Sequence, residues 1–153
     1  IQANDLVGRK TARDGGSTAK AIAGQIETTE HDLRANGSAD ALAFAKRLGA
    51  ARQAFLDVVD FIVAQAASNP NAAYAGSVPY LMLSGNLMAG WQMARALLAA
   101  QNELTAGHDA EFMRSKIATC RFYADHILSR VPGMRDGIVE GADSVTALAL
   151  EAF

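Results

Sequence analysis

Residues 38–70 read SADALAFAKRLGAARQAFLDVVDFIVAQAASNP, and this stretch decides the fold. Ala41, Phe44, Leu48, Ala51, Phe55, Val58 and Ile62 recur at alternating steps of three and four. That is the spacing of one face of an α-helix, whereas a half-buried strand would alternate every second residue. Ser38 stands where an N-cap accepts the first orphan amides, and Ser68-Asn69-Pro70 closes the pattern. The helix predicted here is long, roughly 40 Å at 1.5 Å per residue.

The same reading extends in both directions. Upstream, Ala3 to Lys10 places Leu6 and Val7 opposite Asp5, Arg9 and Lys10, which predicts a short helix before the break at Asp14-Gly15-Gly16. Ser17 is the expected cap of the next helix, Ser17 to Ala35, carried by Ile22, Ile26 and Leu33 and stopped by Asn36-Gly37. Downstream, a helix runs from about Ala72 toward Glu103. Pro79 within it lacks an amide hydrogen and crowds the preceding turn, so a kink is expected near Val78. Gly85 and Ala89 lie four apart beside Leu81, Met88 and Trp91, a face that would let a neighbouring backbone approach closely. A further helix, Asp109 to Val131, carries Met113, Ile117, Cys120, Ala124, Ile127 and Val131 in register and is expected to end at Pro132-Gly133. Gly137 and Gly141 weaken the next segment before a last short helix at Val145 to Glu151. No segment alternates like a strand. The fold class is therefore all-α, an up-and-down bundle of four principal helices with a short N-terminal and a short C-terminal helix.

Composition sets the outer limits. The chain has 153 residues, within the range of one domain, with 14 Lys plus Arg against 16 Asp plus Glu. No basic stripe suggests a nucleic-acid footprint. Cys120 is the only cysteine and no export signal is evident, which points to the cytoplasm. The most apolar run, Leu87 to Ala100, is interrupted by Gln92 and Arg95 and falls short of the roughly 20 residues of a membrane span.

Few residues suggest chemistry. A carboxylate-bridged metal pair in a bundle needs Glu-x-x-His on facing helices, and that spacing is absent. Glu27, Glu30, His31 and Asp32 read as a solvated face, so no metal ligands are assigned. His108 reads as a surface or capping residue, and His126, beside Asp125, has no identifiable nucleophile or substrate proton to serve. Cys120 falls on an apolar stripe and reads as core. Trp91 and Arg95, one turn apart, suit a structural cation–π pair.

The two ends and the middle of the chain carry a resemblance. Ile1-Gln2, Asp5-Leu6-Val7-Gly8-Arg9-Lys10 and Asp14-Gly15-Gly16 resemble a junction in one branch of the acyl-CoA dehydrogenases, in which an extra helical domain follows the flavoenzyme fold. Val78-Pro79-Tyr80-Leu81 with Gly90-Trp91, Lys116-Ile117-Ala118-Thr119 through Ala124, and Gly141-Ala142-Asp143-Ser144-Val145 are similar to later stretches of that domain. The resemblance implies that residues 1–13 are the end of the last helix of an upstream dehydrogenase bundle with its connector, and 14–153 the extra C-terminal domain. The family's catalytic segment, Tyr-Glu-Gly-Thr followed two residues later by Ile-Gln, survives only as Ile1 and Gln2, so the catalytic base is expected upstream of Ile1 and none within the chain. By the same carry-over Gln2 is a candidate flavin contact, and Arg9 and Lys10 are candidate contacts to the CoA moiety, with Gly8 standing where the family's arginine is expected.

The resemblance further implies a parent enzyme that oxidises an acyl-CoA thioester to its α,β-enoyl form with FAD. It passes electrons to an electron-transfer flavoprotein and forms a homo-oligomer. The chain itself is then a structural, non-catalytic domain docked on the catalytic body or a dimer partner. The rival reading is an independent helical module that binds a partner protein or a small ligand between its helices.

Overall fold

The computed structural model describes residues 1–152. Among them the chain is helical with no strand: α1 (Gln2–Asp5), continued by π-helical turns over Leu6–Ala12, then α2 (Ser17–Asn36), α3 (Ala39–Gln65), α4 (Pro70–Ala75), α5 (Ser77–Thr105), α6 (Ala110–His126) and α7 (Val131–Val139). Short 3-10 turns occupy Leu128–Arg130, Ala142–Thr146 and Leu150–Ala152.

The seven apolar residues that define α3 are all buried, six of them fully. They sit at the middle because α3 and α5 form the central pair, each packing on the other and on α2, α6 and α7. Antiparallel pairing of the central helices brings Ser38 to Gln101 at one end and Phe55 to Tyr80 at the other, with ring centroids 6.1 Å apart. α2 returns along α3 with Lys20 against Asp60 at 2.8 Å, and α6 with α7 forms the fourth leg. Phe44, Leu48, Ile62, Leu83, Leu87 and Leu97 fill the shared core, each contributing about 1.5–3 kcal/mol by leaving water.

Four local expectations are corrected. Pro79 causes no kink inside a helix. The chain restarts at Gly76, and Pro79 falls in the first turn of α5, where amides have no intrahelical acceptor. A side chain at Gly76 would place its Cβ 2.7 Å from Ile138. Pro132 likewise opens a helix instead of ending one: α6 stops at His126, a 3-10 turn tucks Leu128 inward, and Pro132 occupies the first turn of α7. Ser17 does not cap α2. That N-cap is Gly16, at φ 78°, and the amides of Gly16 and Thr18 donate to the Asp14 carboxylate at 3.0 and 3.1 Å. The short helix expected over Val145 to Glu151 is replaced by the two terminal 3-10 turns, with Val145 and Leu148 exposed.

Candidate functional site

The N-terminal segment is part of the bundle. Val7 is fully buried, and the hydroxyls of Thr11 and Tyr80 share a buried hydrogen bond of 3.0 Å across 69 residues of sequence. Burial pushes the Tyr80 phenol above its ordinary range, which keeps it protonated and able to make this bond. Gln2 and Lys10 are exposed, and Arg9, with a side chain 73% exposed, pairs with Asp5 at 3.0 Å. Arg9 lines an open cleft of about 410 Å³ with Ile1, Asn4, Asp5, Gly8 and Tyr74; Gln2 and Lys10 do not line it. A Cβ at position 8 would lie 2.5 Å from the Tyr74 hydroxyl, so a larger residue there requires the partly exposed Tyr74 ring to swing aside. Tyr74, unremarked in the sequence, therefore stands where a side chain from position 8 would project. Its signal was only its place after Pro70, opening a helical turn.

The second candidate is the outer side of α5. Val78, Met82, Gly85 and Ala89 follow one another at helical spacing and all are exposed, Val78 at 61% and Met82 at 55%. A Cβ added at Gly85 would meet nothing within 4 Å, so this face has no partner among the described residues. The close approach expected at Gly85 and Ala89 occurs instead at Gly90, where a Cβ would lie 2.5 Å from the Leu128 side chain. Trp91, one turn before Arg95, lies 5.9 Å beneath its guanidinium, and its indole N–H donates to Thr29 on α2 at 2.8 Å.

The acidic cluster of α2 is not wholly solvated. Glu27, His31 and Asp32 are exposed, but Glu30 is only 1% exposed. Its carboxylate accepts from Arg52 Nε at 2.5 Å and from Arg34 at 3.5 Å, and Arg52 also reaches Glu27 at 3.0 Å. Sequence spacing could not reveal this pair, because Arg52 belongs to the next helix. Gly49 makes the room: a Cβ there would be 3.0 Å from the Glu30 carboxylate. Cys120 is buried, with its thiol pushed up by desolvation. His108 pairs with Glu103 at 2.7 Å on the surface, and the His126 ring lies tilted by 32° against Phe122, 4.5 Å between centroids. Among the described residues no group of His, Cys, Asp and Glu could hold a metal ion. A second shallow cleft, of about 370 Å³, is lined by Ser38, Asp40, Gln101 and Ile117. Ser38 is already engaged there, accepting from Ala41 N–H at 3.1 Å and from the Gln101 amide at 2.7 Å.

Gln2 projects from an exposed turn outside the cleft, and the cleft's one cation is committed to Asp5.

Comparison with known proteins gives the same frame. The family model described as acetyl-CoA dehydrogenase C-terminal like matches residues 19–149. A 3-methylmercaptopropionyl-CoA dehydrogenase of Ruegeria pomeroyi is 47% identical over 150 residues, which are 98% of this chain and 25% of that protein. A broad-specificity linear acyl-CoA dehydrogenase of Mycobacterium tuberculosis is 28% identical over 152 residues, covering 94% of this chain and 24% of that protein. The chain thus spans about a quarter of the length of the curated relatives it matches. With helices α3 through α7 and all but the first two residues of α2 inside the matched region, the chain belongs to the acetyl-CoA dehydrogenase C-terminal-like family.

Proposed function

We propose that this chain is the C-terminal helical domain of an FAD-dependent acyl-CoA dehydrogenase and that its role is structural, docking on the catalytic body through the outer face of α5. One observation carries the docking: Val78, Met82, Gly85 and Ala89 form a smooth apolar face without a partner inside a chain that is a quarter of its relatives' length. In the parent enzyme FAD supplies hydride chemistry, and the α-proton is removed by a carboxylate outside this chain. Residues 1–13 continue the last helix of the catalytic bundle, with Gln2 near the flavin and Arg9 and Lys10 toward the CoA moiety; all three are exposed, and Arg9 would exchange its surface pair with Asp5 for that contact. The parent is a cytoplasmic homo-oligomer that passes electrons to an electron-transfer flavoprotein. No helix among the described residues is long and apolar enough to cross a membrane.

The test is Met82→Glu together with Gly85→Leu, each in the full-length enzyme and in the 153-residue chain. In the chain alone neither residue has a partner to lose, so Met82→Glu should change stability little and Gly85→Leu should gain about 0.5–1 kcal/mol from replacing a helix-interior glycine. In the enzyme each should lower the melting temperature by several degrees, since burying even one such side chain is worth about 1.5–3 kcal/mol. Unchanged melting of both full-length variants refutes the docking face. Purification of the chain with excess FAD tests the other half: it should stay colourless, and a stoichiometric flavin band would place flavin-binding groups within it.

A further inference from the structure

The helical segment before α2 has a buried side and an exposed one. Ala3, Val7 and Thr11 are buried and lie at steps of four, while Gln2, Asn4, Arg9, Lys10 and Arg13 are exposed. In a regular α-helix a step of four overshoots a full turn by about 40°, so such a stripe would wander off the packed side. The π-helical turns over Leu6–Ala12 take up that drift. Arg13 N–H donates to the Gly8 carbonyl at 3.0 Å and Gly16 N–H to that of Thr11 at 2.9 Å, each five residues back. The buried side packs on α2, α3 and α5. Its polar member, Thr11, is 1% exposed and meets the Tyr80 hydroxyl, whose ring is stacked on Phe55 of α3. The exit of the segment is fixed as well: Gly16 is buried at φ 78°, and a Cβ there would lie 2.7 Å from Val59 of α3.

We infer that Thr11 and Tyr80 are positioning residues: their buried hydrogen bond sets the rotation and height of the N-terminal segment on the helical domain, and so the direction in which Gln2, Arg9 and Lys10 are presented. This rests on the proposed place of residues 1–13 between the helical domain and the catalytic body. Apolar burial is non-directional and tolerates sliding of one helix on another. A buried hydroxyl pair does not. Turning the segment by one residue, about 100°, parts Thr11 from Tyr80 and leaves two buried hydroxyls unpaired. Such a contact selects one register more than it adds stability, as a single buried asparagine does in a coiled coil. The helical domain is then more than a body docked on the enzyme. It holds the inner side of a segment whose outer side serves the flavin and the CoA moiety.

Three variants of the full-length enzyme separate positioning from a purely structural role. Thr11→Val or Tyr80→Phe alone leaves one buried hydroxyl unpaired and should lower the melting temperature. Thr11→Val combined with Tyr80→Phe leaves none, and most of that loss should be regained. Affinity should not be regained, because nothing then selects the register. The double variant should bind FAD, followed by flavin fluorescence, and coenzyme A, followed by calorimetry, about three- to tenfold more weakly, the scale of one lost hydrogen bond. Wild-type affinities in the double variant, or affinities that follow the melting temperature across all three, overturn the inference. In the 153-residue chain the amides of Val7 and Thr11 should exchange hydrogen within about tenfold of those of Leu48 and Phe55. Exchange at the rate of an unfolded peptide means that the domain does not grip the segment, and overturns the inference too. Gln2→Ala and Arg9→Ala mark the other failure. If both leave the affinities for FAD and coenzyme A unchanged, the proposed placement of residues 1–13 fails and the inference with it. If either weakens binding while the Thr11→Val, Tyr80→Phe double variant does not, only the inference fails.

Discussion

Replacing Gly90 by alanine and replacing Gly85 by alanine are the same chemical change five residues apart on α5, and they should have opposite effects. In a helix interior alanine is favoured over glycine by about 0.5–1 kcal/mol, because glycine loses more backbone freedom on folding. Gly85 is exposed and a Cβ there meets nothing within 4 Å, so Gly85→Ala in the 153-residue chain should realise that gain. At Gly90 the new Cβ would lie 2.5, 2.8 and 2.9 Å from the Cδ2, Cδ1 and Cγ atoms of Leu128. The whole end of that side chain is in the way, and it is fully buried against Val131 and the α3–α5 core. Overpacking of this kind costs about 1–3 kcal/mol, which exceeds the propensity gain, so Gly90→Ala should be net destabilising by about 1–2 kcal/mol. The two variants should then differ by the overpacking cost, about 1–3 kcal/mol, or roughly 2–12 °C in melting temperature at 2–4 °C per kcal/mol for a chain of this size. Urea denaturation followed at 222 nm measures both. Adding Leu128→Ala, which alone should cost about 2–5 kcal/mol, must cost less in the Gly90→Ala background, by about 1 kcal/mol or more, because the new methyl occupies part of the void. Equal shifts for the two alanines, or additive behaviour of the double variant, would refute the tight approach of the 3-10 turn to α5.

Removing Glu30 should be the most damaging polar change in the bundle: Glu30→Ala strands Arg52 beside an apolar seam, at a cost of about 3 kcal/mol in urea denaturation, the low end for a broken buried pair because Arg52 keeps Glu27. A loss below about 1 kcal/mol would mean that the pair contributes little. Asp14 is held below its ordinary carboxyl value of 3.8, chiefly by hydrogen bonding from Thr18. Its charged form favours the fold, so its contribution is complete above the unfolded-state value and is lost as pH falls through the lowered folded one. Asp14→Ala should accordingly lose stability at neutral pH, with the deficit shrinking toward zero in acid; a deficit that stays constant from pH 7 to about pH 2 contradicts the cap. Cys120 should resist an aromatic disulfide reagent in the native chain, since burial raises its thiol and blocks access, and should react only at the rate of unfolding. Stoichiometric reaction within the mixing time would show that α6 opens independently.

Local periodicity alone determined a great deal here. The steps of three and four from Ala41 to Ile62 placed the central helix and named seven residues that are all buried, and the same rule put Cys120 in the core. Such patterns are legible because a helix presents one face per turn to whatever covers it, whichever element that is. The Trp91–Arg95 pair was readable for the same reason, as both partners lie on one helix. What the tertiary structure decided were the matters that depend on a second element. Glu30 looked solvated until Arg52 arrived from α3, and the glycine that matters for close packing is Gly90, because Leu128 turns inward there and nothing covers Gly85. Pro79 and Pro132 open helices because the chain had already turned before each, at Gly76 and at Leu128–Arg130, a choice set by docking of Ile138 and Leu128 and invisible in the prolines themselves. A one-dimensional pattern records which side of a helix must be buried; which residue meets it, and where a leg of the bundle must break, is fixed only when the helices pack.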